Sequence, residues 1–294
     1  MEIEAEIRAV CAANAALAEG VVWDASRTLV WFVDIKRHLL WRFDPATRAS
    51  RAVTAPGQIG WALPTHEGPL LCGLQDGLYT FYVKTERFER LMAVPGEPPG
   101  NRLNDACTDP WGRVWFGSMD DAEEGRSGRF YLFDRGEVRP AGPSGISITN
   151  GPAVNRAGDR IYFTDTAGKR ILVAELTAEG AGEARLFADT AVHFPDAHPD
   201  GPVVDAEDHV WSGLYLGGGL ARFAPDGTLV ATLACPARDI TKLAFGGPDL
   251  TTCYLTTATK DLAAIDRARH PLAGSLLSFQ SPIHGFAQPL ARLA

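Results

Sequence analysis

An all-β six-bladed β-propeller is predicted by three observations: one two-strand phrase recurs along 294 residues, an aromatic recurs after each of its turns, and helical periodicity is almost absent. The fullest copy is Asn101 to Met119, NRLNDACTDPWGRVWFGSM. It reads as a strand, a tight turn carrying Pro110 and Gly112, and a second strand rich in β-branched and aromatic residues. Counting five residues from a polar start to the turn aligns four copies without a gap. Glu19 leads to Asp24, Asn104 to Asp109, Asn150 to Asn155 and Asp200 to Asp205. Thr241 to Gly246 is a fifth copy, and Trp61 to His66 fills the remaining interval as a sixth. Starts at 19, 61, 104, 150, 200 and 241 give the period of about 40 to 50 residues expected of propellers.

The second strand of each copy carries an aromatic at nearly one offset, Trp31, Trp115, Tyr162, Trp211 or Tyr254, which predicts a shared core position. A third run follows in each unit, beginning near Leu39, Leu78, Phe130, Ile171, Leu220 and Leu276. Each blade buries its faces only against its neighbours, so the ring must close, and residues 1–294 are expected to form a single domain. The alanine-rich stretch from Arg8 to Leu17 could be helical by propensity. A strand that joins the last blade is the expectation here. Two insertions interrupt the repeat, Asp120 to Gly128 and Phe187 to His198.

A net charge of -8 and no run of Lys or Arg argue against nucleic acid or an anionic membrane as partner. Five scattered cysteines with no CxxC pair suggest neither a disulfide framework nor a thiolate zinc site. Reduced thiols in the cytoplasm are expected. The acidic opening MEIEAE does not fit a secretory leader, and no apolar run approaches a membrane span.

First strands line the central channel of a propeller, so one register converges on the axis at one height. Glu19, Asn104, Asn150 and Asp200 share that register. The far ends of the second strands should bring Asp34, Ser118, Asp165 and Tyr215 to the same mouth. Two carboxylates and two amides meeting in a channel call for a cation, because unpaired buried charge is costly. Oxygen donors without His or Cys suit calcium, magnesium or manganese, with iron(II) or zinc also open. Asp24, Asp109, Asn155, Asp205 and Asp249 are expected to be turn formers and nothing more. The seven histidines show no ligand spacing; His193 and His198 stay as candidates because their insertion can reach the mouth.

On LAEGVVWD from Leu17, NRLNDACTDPWGRVWFGSMD from Asn101, ITNGPAVN from Ile148 and PDGPVVDAEDHVW from Pro199, the sequence resembles the SMP-30/gluconolactonase/regucalcin-like family of six-bladed propellers. The likeness covers essentially the whole chain. It implies one divalent metal ion held by Glu19, Asn150 and Asp200, and hydrolysis of a sugar-acid lactone such as a glucono-, xylono-, arabinono- or galactonolactone. It further implies that Arg102 and Asn104 contact substrate. An acidic residue soon after Met119 would do the same, and Asp121, Glu123 and Glu124 are its candidates. Ala18-Glu19-Gly20-Val21 stands where the family usually has Gly-Glu-Gly-Pro. Asp200 is the expected general base.

Two other readings stay open on this fold: a metal-dependent esterase or organophosphate hydrolase, and a non-catalytic divalent-metal-binding protein. The partner expected is a small sugar lactone, and a monomer is plausible.

Overall fold

The computed structural model describes residues 1–294 and folds them into six antiparallel sheets of four strands each. The innermost strands are Ala18–Asp24, Ile59–Pro64, Asn101–Thr108, Thr149–Val154, His198–Val204 and Ile240–Gly246, for blades one to six. All six predicted starts fall within them. Each inner strand packs beside the next around the ring, and that of blade six meets that of blade one. Burial falls outward, as blade geometry requires. Asn101–Thr108 is buried throughout, whereas the outer strand of blade two, Arg87–Met92, has no buried residue.

The ring closes as expected. Arg8–Cys11 is the outer strand of blade six, antiparallel to Leu276–Gln280 with Arg8 opposite Ser278. The chain beyond Gln280 then crosses the lower face. Ala206 donates its amide to the His284 carbonyl at 2.9 Å, Ala291 to Pro64 at 2.9 Å and Arg292 to Gly112 at 2.8 Å. Phe286, Pro289 and Leu290 thereby line the lower channel. Helix is confined to Ala264–Arg269 and a 3-10 turn at Thr190–Val192. No helix is long and apolar enough to cross a membrane.

The recurring aromatics are buried between blades. Trp31 meets Phe81 of blade two, Trp115 meets Phe163 of blade four and Trp211 meets Phe245 of blade six, in each case edge-on. Edge-to-face contact is one of the favoured aromatic geometries.

Three turn residues depart from expectation. Asp24, Asp109 and Asp205 are completely buried, and besides capping their turns they accept the indole N–H of Trp31, Trp115 and Trp211 at 3.2, 2.9 and 2.8 Å. A guanidinium completes each hub: Arg27 Nη1 at 2.7 Å, Arg113 Nε at 2.6 Å and Arg222 Nε at 2.8 Å. A tight turn tolerates any Asx side chain, but a buried indole N–H needs an acceptor, and these carboxylates supply it. Asn155 and Asp249 serve their turns alone.

Removing one member of such a hub strands a buried charge. Asp109→Ala should therefore lose about 3 kcal/mol or more in urea unfolding, while Asp249→Ala at an exposed turn should stay within about 0.5 kcal/mol.

Candidate active site

Every inner strand breaks its pairing register at the same height. The breaks fall between Glu19 and Val22, Ile59 and Trp61, Leu103 and Ala106, Asn150 and Ala153, Asp200 and Val203, and Ile240 and Lys242. A β-bulge re-aims side chains and bends its strand. Here the six bulges form a collar around the axis. Gly20 and Gly201 lie in it at φ 58° and 35°, where a Cβ would meet the Gly60 carbonyl at 2.9 Å and the Thr241 carbonyl at 2.3 Å. Glycine is required by both the backbone conformation and the close approach.

Above the collar opens a cleft of about 410 Å³. Glu19, Arg102, Asn104, Glu123, Asn150 and Asp200 all line it. Asp121 does not. It sits behind Arg102, accepting from Lys36 Nζ at 2.6 Å, Gln58 Nε2 at 2.8 Å and Arg102 Nε at 2.9 Å. Partial burial pushes its carboxyl up, but these donors outweigh that and hold it below the usual range. Asp121 is thus occupied as a brace, and Glu123 is the acidic residue that faces the cleft, ion-paired to Lys260. Glu124 is not among the lining residues.

Of the four second-strand residues expected at the mouth, Tyr215 lines the cleft. Asp34 instead accepts the Ala16 and Leu17 amides, Asp165 accepts the Gly168 amide and pairs with Arg170, and Ser118 is buried behind the wall. His193 and His198 lie outside it; His198 Nδ1 is 3.2 Å from the Thr166 carbonyl.

One directional hydrogen-bond chain runs along the wall. Arg102 Nη1 donates to Asn104 Oδ1 at 2.5 Å, and Asn104 Nδ2 donates to Asn150 Oδ1 at 3.0 Å. Asn150 Nδ2 then donates to Thr166 Oγ1 at 3.0 Å, and Thr166 donates to the Pro199 carbonyl at 2.9 Å. Guanidinium can only donate and a carbonyl can only accept, so both amides are fixed in orientation. The Asn150 oxygen keeps a lone pair for a ligand. Arg102 Nη2 takes no protein acceptor, which leaves a donor at the cleft wall.

The two buried carboxylates are under-coordinated. Glu19 Oε2 accepts from Gly20 at 2.9 Å and Asp200 Oδ1 from Gly201 at 2.8 Å; their other oxygens have no donor. Burial, then the nearby Asp105 carboxylate, pushes Glu19 up to about 8 against the pull of Lys242. Burial, then Glu19 and Asp105, raises Asp200 well above the usual carboxylate range. Free carboxylate oxygens and an oriented amide oxygen fit a hard divalent cation. Asp205, Glu207 and His209, at the other end of blade five, also lie within ligand distance of one another. That position is taken: Arg222 binds Asp205 Oδ2 at 2.8 Å and Glu207 at 2.6 Å.

Asp105, Lys242, Thr166, Lys260 and Asp261 were not singled out in the sequence. Alternation assigns Asp105 and Lys242 to the face opposite Asn104 and Thr241. The bulges bring them to the channel. The Asn-Asp dipeptide at 104–105 was the available signal.

Fold and cleft together define a six-bladed propeller with an acidic, polar-walled pocket at one end of its channel. The chain belongs to the SMP-30/gluconolactonase/LRE-like family, whose model matches residues 17–259. It is 33% identical over 248 residues to a pentonolactonase of Haloferax volcanii, covering 83% of this chain and 82% of that one. It is 27% identical to a 6-deoxy-6-sulfogluconolactonase of Pseudomonas putida, covering 93% and 94%. The crystal structure of a calcium-binding protein, regucalcin, from Agrobacterium tumefaciens superposes with a TM-score of 0.93 at 27% identity over 98% of each chain.

A raised carboxyl pKa means that the native state holds a proton which the unfolded chain releases. In chelator, stability should therefore fall as pH rises from the unfolded Glu19 value near 4.5 through about 8. Thermal unfolding in EDTA should show this fall, and Glu19→Gln should flatten it. An identical slope in the variant would remove Glu19 as its source.

Proposed function

We propose that the protein hydrolyses a sugar-acid lactone to its open acid, with one divalent cation held by Glu19, Asn150 and Asp200. The observation that carries this reading is the convergence of two under-coordinated buried carboxylates and an oriented amide oxygen beneath a free guanidinium donor. The names of the pentonolactonase and sulfogluconolactonase relatives support the reaction class, and the calcium-binding neighbour supports the cation. Aldonolactones of five or six carbons are the substrate class. The donor set suits calcium, magnesium, manganese, zinc or iron(II). Buried free thiols suit the cytoplasm as compartment.

When bound, a divalent ion supplies Lewis-acid polarisation of the lactone carbonyl. The remaining work falls to side chains. Arg102 Nη2 donates to a substrate oxygen and fixes the ring against the wall, while Asp121 keeps the guanidinium plane from turning. The Asp200 carboxylate takes a proton from a water as that water attacks the carbonyl carbon, and returns it to the ring oxygen as the ester C–O bond breaks. Asn104 keeps the Asn150 oxygen directed inward. Glu123 and Lys260 meet across the rim and face the distal hydroxyls.

The test is proton release from a panel of aldonolactones, with chelator-stripped protein and single divalent metals restored. Metal-restored opening of one or two lactones, reduced at least about a hundredfold in Asp200→Ala, is the expected result. No lactone opening above its spontaneous rate with any metal would overturn the reading. Arg102→Ala should raise KM more than it lowers kcat, because the lost contact binds ground and transition states alike.

A further inference from the structure

Directly under the collar lies an ion pair that the proposed reaction does not use. Lys242 Nζ donates to both oxygens of Asp105, at 2.5 and 2.6 Å, and the two side chains are 10% and 1% exposed. They belong to blades six and three, so the pair spans the axis. Both residues line the lower channel, whereas Glu19, Asn104, Asn150 and Asp200 line the upper cleft. The pair therefore forms the floor between a polar chamber and an apolar one.

The floor is tied to the residues above it. Asp105 Oδ2 accepts the Gly151 amide at 2.9 Å, immediately after Asn150. Asp105 Oδ1 accepts the Ala106 amide at 2.8 Å, repeating the way Glu19 and Asp200 accept from Gly20 and Gly201. Lys242 backs the Asp200–Gly201 step so closely that a Cβ on Gly201 would come within 2.7 Å of the lysine Cβ. Three carboxylates thus converge with one fixed ammonium.

We propose that Lys242 is a built-in counter-cation and positioning residue. By neutralising Asp105 it leaves the Glu19 and Asp200 carboxylates to balance a divalent ion, and so sets the affinity of the site from beneath. Through Asp105 it also holds the Asn150–Gly151 step. This rests on the cation-site reading above. A divalent ion between Glu19 and Asp200 balances the remaining charge, and the apolar lower channel offers Asp105 no other counter-charge among its lining residues.

Calorimetric titration of chelator-stripped protein with Mn²⁺, repeated with Ca²⁺, Mg²⁺, Zn²⁺ and, without oxygen, Fe²⁺, tests this in four forms: wild type, Lys242→Met, Asp105→Asn and the double variant. Loss of a positive charge from the floor should tighten ion binding in Lys242→Met on the order of tenfold. Loss of the negative charge should weaken it by a similar factor in Asp105→Asn, and the double variant should return to the wild-type value. A residue that merely packs would weaken binding in all three variants, and that outcome, or equal affinities throughout, overturns the proposal. Should Lys242→Met fail to fold, Asp105→Asn weaker than the double variant still supports it, and equal binding by those two rejects it. Wild type that takes up none of these five ions would reject the cation-site reading itself. Wild type that binds one ion, with the variants not ordered in this way, rejects only the role of Lys242.

Discussion

Convergence of six inner strands on one axis is the constraint on which everything else depends. Strands twist, and six twisted sheets set in a ring bring their inner edges together around a central channel. The collar of bulges lies at this convergence, with Gly20 and Gly201 placed where neighbouring strands nearly touch. A bulge also leaves two adjacent residues facing one region. The step that closes the ring is therefore the step that gathers Glu19, Asn104, Asp105, Asn150 and Asp200 at the channel.

Polar groups gathered in this way must be satisfied, and the molecule does so by two different means. Along the wall, the chain from Arg102 through Asn104, Asn150 and Thr166 to the Pro199 carbonyl satisfies neutral groups and locks their orientation. At the base, charge is met by charge, with Asp105 against Lys242. Glu19 and Asp200 are left with free oxygens, and this residual deficit distinguishes a binding site from a finished core. The hubs at Asp24, Asp109 and Asp205 show the opposite case: their carboxylates are equally buried but fully engaged by indole, guanidinium and amide donors. They have nothing left to offer a ligand.

Two ends of one chain hold this arrangement. The strand Arg8–Cys11 completes blade six, and the segment after Gln280 ties blades five, two and three together across the lower face. The channel is consequently backed by protein on its apolar side, with the polar cleft at the other end.

Repeat spacing, turn residues and recurring aromatics were enough to place six blades, every inner strand and the closing N-terminal strand, because those signals are local and are written several times over. The register shared by Glu19, Asn104, Asn150 and Asp200 was legible for the same reason. Only the tertiary structure decided that Asp121 braces Arg102 while Glu123 faces the cleft, since an insertion outside the repeat has no register to count from. It alone brought Asp105 and Lys242 together, because their contact joins residues 137 apart through two bulges. A bulge breaks the two-residue alternation on which any reading of strand faces depends.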